Sequence, residues 1–160
     1  GQLYSPQYIE SRLRFSPYIK DLLVVGGKDH DYVSTIVNID MDNVGRWAEK
    51  RKLAYTSYAD ISQKPEVIEL IKKEFIRVNL RVPEGSRVQK FINMHKEFDA
   101  DDAELTRTRK IKRDFMEERY SQMISALYSG ASELSVEAPV TYRDGRKSTI
   151  KTIVKINTVI

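Results

Sequence analysis

An α+β fold is predicted by three features of this 160-residue sequence: short β-branched runs, longer amphipathic stretches between them, and Pro or Gly at the joins. A chain of this size buries roughly 70% of its unfolded surface, enough for a real core. Hydrophobic residues make up 41% and charged residues 31%, which keeps the chain in the globular range and away from disorder. Zero Cys excludes disulfides, thiolate metal sites and a Cys nucleophile, and two His leave little room for a histidine zinc site. No apolar run approaches the ~18 residues of a membrane-crossing helix. Gly1-Gln2-Leu3 has no signal-peptide pattern, so the expectation is a cytoplasmic protein without a metal. The net charge of +4 is ordinary, so where the cations sit matters more than their sum.

The elements follow in order. Ser5-Pro6 starts a helix, with Ser as N-cap and Pro in the first turn, and Ile9 and Leu13 share one face until Ser16-Pro17 ends it. Residues 22–25 read as a buried strand closed by Gly26-Gly27. Residues 32–39, Y-V-S-T-I-V-N-I, read as a second strand, close enough for an antiparallel hairpin. Asp42 is expected to cap a helix to about Lys52, with Val44, Trp47 and Ala48 inward. Residues 53–62 read as a tyrosine-rich connector. A helix opening at Lys64-Pro65-Glu66 carries Val67, Ile68, Ile71, Phe75 and Val78 at helical spacing, and Pro83-Glu84-Gly85 ends it. Residues 88–94 are a third strand, 96–108 a polar loop, and 115–128 one amphipathic helix with Phe115, Met116, Tyr120, Met123, Ile124 and Leu127 inward.

The last thirty residues change character. Val136, Ala138, Val140 and Tyr142 alternate with polar neighbours, as do Ile150, Thr152, Val154 and Ile156, with Asp144-Gly145 between. A two-residue turn would set Val140 opposite Thr149 and mix the faces. A three-residue loop over residues 143–145, with Gly145 left-handed, pairs Ala138 with Ile150 and keeps the apolar face together, so the bulged loop is predicted.

One segment stands out chemically. Residues 105–113, L-T-R-T-R-K-I-K-R, hold five cations and no acid, just after Asp99, Asp101, Asp102 and Glu104. Such a cluster can be a solvated surface, an oxyanion site in which Thr106 and Thr108 add hydroxyl donors, or a nucleic-acid contact. No aromatic residue interleaves with the cations, so a base-stacking platform is not visible.

E-L-T-R-T-R-K-I-K-R (residues 104–113) resembles the closing signature of the AMP-forming acyl-CoA synthetases, the adenylation-domain and luciferase superfamily, whose long-chain branch reads E-L-T-P-T-x-K-x-K-R. G-Q-L-Y-S-P-Q-Y-I-E (residues 1–10) is similar to the family's G-x-x-x-x-P-x-x-I-E segment just after its interdomain hinge. Phe15-Ser16-Pro17-Tyr18-Ile19, followed by Val24-Val25-Gly26, also matches that branch. The resemblance spans residues 1–127, and the final hairpin resembles an extension on some bacterial members. It implies a small lid domain at 1–130, carrying a hairpin at 131–160 packed on it: a three-stranded sheet flanked by helices, with the hairpin added.

The resemblance also implies roles. Family members use ATP and Mg²⁺ to turn a carboxylate into an acyl-adenylate, then pass the acyl group to coenzyme A. Lys110 aligns with the lysine that bridges the carboxylate and the α-phosphate, and the small domain then rotates to present its other face for thioester formation. On that face Gly1 aligns with a pantetheine-channel glycine, Gly26 and Gly27 lie nearby, and Tyr32 sits where some relatives put an aromatic residue against the CoA adenine. Thr106, Thr108 and Arg113 would support the loop. Arg107 stands where the branch usually has Pro, which frees the backbone and adds a charge.

The implied protein is a fragment of a fatty acyl-CoA ligase, inactive without its large domain. No cofactor would bind the fragment itself, and the whole enzyme could touch membranes peripherally. The alternative is a stand-alone basic module that binds nucleic acid or protein, the latter through the hairpin edge. His30 in Lys28-Asp29-His30-Asp31, His95 and Trp47 read as structural rather than as ligands.

Overall fold

The computed structural model describes residues 6–26, 30–98, 112–141 and 145–160, of which 138–141 and 150 are described by their backbone. Helix α1 (Pro6–Arg14) leads into strands β1 (Ile19–Val25) and β2 (Val33–Ile39), an antiparallel pair as expected. Helices α2 (Met41–Lys50), α3 (Tyr58–Ser62) and α4 (Pro65–Asn79) carry the chain over to β3 (Val88–Asn93), which runs parallel to β2. Then come α5 (Arg113–Arg119), α6 (Ser121–Tyr128) and the hairpin β4 (Glu133–Thr141) and β5 (Lys147–Thr158). The α+β class holds. The three predicted strands lie side by side, and the hairpin extends them into one five-stranded sheet, ordered β1-β2-β3-β5-β4.

The sheet has a core on each side, which is why β2 is buried at every position and β1 at every position but Lys20. On one face Ile9, Leu13, Leu22, Val37, Val44, Ile71, Phe75 and Phe91 pack beneath α1, α2, α3 and α4. On the other, Leu23, Ile36, Ile92, Met94, Met116, Met123, Leu127 and Val154 pack beneath α5, α6 and the hairpin.

Two bulges make this two-sided packing work. Ile19 and Leu22 are three residues apart, which in a regular strand puts them on opposite faces, yet both lie in the first core. The register jumps between Ile19 and Asp21, so Lys20 is extra and the faces realign. The same device acts in β3, where partners shift from Val88 to Lys90 so that Val88 and Phe91 share a face. Asn79, at the end of α4, fixes that start by donating to the Val88 carbonyl and accepting from its N–H, both at 2.9 Å.

Several boundaries differ from the sequence reading. The first strand begins at Ile19 rather than 22, and the second at Val33 rather than 32. Asp40, not Asp42, caps α2: it is the extended residue leaving β2, and its Oδ1 accepts the Asn43 N–H at 3.0 Å. Asp42 lies within the first turn. The tyrosine-rich connector holds α3, capped by Ser57 and tied to the end of β2 by the Tyr58 hydroxyl, which donates to the Ile39 carbonyl at 3.2 Å. Burial raises that hydroxyl's pKa well above its usual range. The helix predicted over 115–128 is two, broken at Tyr120 (φ −102°, ψ 26°). Its buried stripe runs Met116, Tyr120, Met123, Leu127, and Phe115 lies outside it, exposed beneath the Arg119 guanidinium.

The hairpin register is the predicted one: Ala138 pairs with Ile150, and Gly145 has φ 87°. The Tyr142–Arg146 pairing lies outside the described residues. Leu134, Val136 and Val154 face the second core, while β5 bonds to β3 through Ile92–Ile156, Phe91–Asn157 and Lys90–Thr158. Gln63 locks that seam, donating to the Asn93 carbonyl at 2.7 Å and accepting the Lys155 N–H at 2.8 Å.

Candidate functional site

The basic segment is best approached from its two ends. Residues 99–111, with Thr106, Thr108 and Lys110, lie outside the described residues, as do Gly1 and Gly27. On the entering side, Phe98 is buried in the second core with its ring 6.2 Å from that of Tyr120. Its N–H donates to Asn38 Oδ1 at 2.5 Å, and Asn38 Nδ2 donates to the Lys96 carbonyl at 2.9 Å. A buried side-chain amide of β2 thus stands in for a strand partner just where the chain leaves the sheet.

On the leaving side, Arg113 opens α5 with its guanidinium on two acceptors. Nη1 donates to the Val24 carbonyl at 2.8 Å, and Nη2 pairs with Glu10 Oε1. The same Glu10 oxygen accepts the Val24 N–H at 3.3 Å. Glu10 is the last residue of the first motif and Arg113 the last of the second. The two motifs, more than a hundred residues apart in sequence, therefore end on each other across β1. Sequence reading named Arg113 as a loop support but missed Glu10, whose signal was its place in the motif. Asn38 gave no signal.

Gly26 and Tyr32 lie just past the same end of β1, Gly26 two residues beyond Val24. Gly26 lines a cavity of 280 Å³ with Val25, His30 and, from α5 and α6, Glu117, Ser121 and Ile124. Tyr32 donates to the Leu127 carbonyl at 2.5 Å, while the Tyr128 hydroxyl donates to the Tyr32 carbonyl at 2.7 Å. The Tyr128 ring stacks on His30 at 4.0 Å and meets the Tyr32 ring at 4.7 Å. Burial pushes the Tyr128 hydroxyl up to about 12, so it serves as a neutral donor. Lys90 Nζ lies 5.7 Å from the Tyr32 ring centre. Tyr128 was invisible as a site residue because it reads as the last residue of an amphipathic helix. Among the described residues, no group of three or more His, Asp or Glu is arranged to hold a metal.

His95 is buried just beyond β3, with Nε2 3.1 Å from the Glu137 carbonyl and Nδ1 without a partner. Burial lowers its pKa below the usual 6.5. Because the folded state resists the proton that the unfolded chain accepts, the neutral ring's contribution is intact above about pH 6.5 and is lost as pH falls below it. Denaturant midpoints should drop on acidification through this window. His95→Gln, which keeps a donor for Glu137, should flatten the drop, and parallel curves for the two proteins would dismiss it.

Comparison with known proteins adds the family. Residues 1–132 match the family described as the AMP-binding enzyme C-terminal domain. The chain is 29% identical over 130 residues to the long-chain-fatty-acid–CoA ligase FadD15 of Mycobacterium tuberculosis, covering 81% of this chain but 22% of that protein. Among solved structures, the adenylation domain of a carboxylic acid reductase from Segniliparus rugosus, in complex with AMP and a co-purified carboxylic acid, overlays with a TM-score of 0.63. Its identity is 15%, over 81% of this chain and 18% of that one. The adenylation domain of a carboxylate reductase from Mycobacterium chelonae gives 0.59 at 19% identity, over 79% and 19%. These two share the fold. With the family match spanning most of its length and both family motifs in place, this chain belongs to the AMP-binding enzyme C-terminal domain family.

Proposed function

We propose that this chain is the small C-terminal domain of an AMP-forming ligase that joins a long-chain fatty acid, or a related carboxylic acid, to coenzyme A. The observation that carries the reading is the junction of Glu10, Arg113 and Val24. It fastens the end of the basic segment to β1 only three residues from Lys110, and Phe98 fastens the chain just ahead of the acidic stretch that leads into it. A segment rooted at both ends can deliver one cation to an active site and be withdrawn whole when the domain turns.

In this reading Lys110 meets the carboxylate and the α-phosphate during adenylation, where fixed positive charge offsets the charge developing on oxygen. Thr106, Thr108 and Arg113 support the loop. After rotation Gly1, Gly26 and Gly27 line the pantetheine channel, and Tyr32 lies beside the CoA adenine. ATP, Mg²⁺ and coenzyme A are held with a large N-terminal domain of the same polypeptide, consistent with the 22% of FadD15 that this chain spans. Residues 1–130 form the lid and 131–160 its hairpin extension, in a cytoplasmic enzyme. No helix among the described residues is long and apolar enough to cross a membrane.

The 160-residue chain alone should form no acyl-CoA from fatty acid, ATP and coenzyme A, whereas the polypeptide that includes the large domain should release pyrophosphate only when fatty acid is supplied. Acyl-CoA made by the purified 160-residue chain, or pyrophosphate release indifferent to fatty acid, would reject the assignment.

A further inference from the structure

The hairpin reaches beyond the family match, which ends at residue 132, and its two outer edges differ. Over residues 147–155 strand β5 pairs with β4, from Lys147 opposite Thr141 to Lys155 opposite Glu133. On its other side it meets β3 only at Ile156, Asn157 and Thr158. Gln63 covers the next N–H, that of Lys155, at 2.8 Å. From Ile153 back to Lys147, no strand lies along that side among the described residues.

Parity says which backbone groups this leaves open. In an antiparallel ladder, alternate residues turn both N–H and C=O toward the same neighbour. The Lys155 N–H goes to Gln63 and the Val159 N–H to the Gln89 carbonyl, both on the β3 side. The Ile156 N–H goes instead to the Ser132 carbonyl, on the β4 side. Odd-numbered residues of β5 therefore point away from β4. Pro139, which has no N–H to give, stands opposite Thr149, as an outward-facing pair requires. Lys147, Thr149, Lys151 and Ile153 thus offer a row of outward N–H and C=O groups about 20 Å long. All four residues are exposed, Ile153 at 49%. The outer edge of β4 is closed by contrast: Pro139 interrupts its donors, and the Glu137 carbonyl is occupied by His95 at 3.1 Å.

We infer that the free edge of β5 takes up an extended segment of another protein, with carboxylates at alternate positions, as an added strand. In such pairing the main chain supplies affinity and alternate side chains supply selectivity. Residues 146–155 carry four cations and no acid, and Lys147, Lys151 and Lys155 share one face at four-residue intervals. Glu137 and Glu133 stand opposite two of these on β4, but Lys147 faces Thr141. A second copy laid on this edge would gather six lysines in one ribbon, and like charges across strands are unfavourable. An acidic strand reverses that sign. A phosphate backbone would use the lysines but offers no strand to the N–H and C=O row. The family's own contact between small and large domains does not call for a hairpin that lies outside the family match. The inference is independent of the ligase reading.

The probe is a fluorescent peptide of alternating Glu and Thr, matched in length to residues 147–153, titrated with the 160-residue chain by anisotropy. A peptide with Lys in place of Glu is the control. The acidic peptide should bind, more weakly as salt rises, and the control should not. Binding should slow amide exchange at Thr149, Lys151 and Ile153 and leave Ser148 and Thr152, whose N–H groups face β4, unchanged. Lys147→Glu with Lys151→Glu should weaken binding about tenfold, and these exposed positions should leave the melting temperature nearly unchanged. Thr149→Pro removes one outward N–H without touching the β4 ladder or the charge, and should also weaken binding. Equal binding of the control peptide would overturn the proposal. So would unchanged exchange at the three outward amides with peptide bound, or loss only on reversing Arg107 and Arg109. Binding by this chain but not by the polypeptide with the large domain would make the edge a domain interface, and would overturn it too. A concentration-dependent mass without peptide, abolished by Thr149→Pro, would make the edge a contact between copies and equally overturn it.

Discussion

Lys110→Ala, in the polypeptide that carries the large domain, is expected to lower acyl-adenylate formation by about two to three orders of magnitude while leaving thioester formation from supplied acyl-adenylate nearly unchanged. The reason for the asymmetry is physical. In the proposed reading the cation offsets charge at the carboxylate and α-phosphate, so its removal should be felt in that half-reaction alone. Single-turnover assays of pyrophosphate release and of acyl-CoA formation separate the two. Comparable loss in both would show that Lys110 holds the structure rather than the transition state. Lys110→Arg should recover part of the first rate, since it keeps the charge but changes the reach and the geometry.

The largest stability effect is expected at the junction beneath that loop. The Glu10 side chain is 8% exposed and that of Arg113 25%, so neither charge is well solvated. Arg113→Ala leaves the Glu10 carboxylate buried with the Val24 N–H as its remaining partner here. Uncompensated buried charge costs roughly 3–5 kcal/mol, and because a quarter of Arg113 meets solvent the lower end, about 3 kcal/mol, is expected. For a chain of this length that lowers the melting temperature by about 6–12 °C. Glu10→Leu combined with Arg113→Met should be far less harmful than the sum of the single changes, because a dry apolar pair leaves no orphaned charge. Additive losses in calorimetry would mean that the two residues act independently. The adenylation rate should also fall in Arg113→Ala, since the loop loses its nearer anchor. Arg113→Lys should restore less than half of the bonding because it cannot fork between Glu10 and Val24.

Much of the architecture could be read locally. The Pro6 and Pro65 helix starts, the stripe Val67-Ile71-Phe75-Val78 and the left-handed Gly145 are statements about periods and backbone preferences, which act within a few residues. The hairpin register was legible because a one-residue slip would have turned its apolar face outward. What failed to show was non-local. Phe115 has the right chemistry for a buried face but sits one step off the stripe that Tyr120 sets when it breaks the helix. The bulges at Lys20 and Gln89 cannot be seen in a strand alone, because they exist to satisfy two cores at once. The attachment of β5 to β3 depends on Gln63, a residue with no pattern of its own.

The candidate site divides the same way. Lys110, Thr106 and Thr108 were legible as a motif, and only as a motif. That Glu10 and Arg113 meet at Val24, or that Tyr32, Tyr128 and His30 form one aromatic wall beside Gly26, required the chain to be folded. The sequence by itself determined the fold class, the family and the place of the basic segment, because composition, period and motif are local quantities. Only the tertiary structure decided which residues anchor that segment and which aromatic rings gather beside Gly26. Burial and proximity are properties of pairs that the chain brings together, not of the residues one at a time.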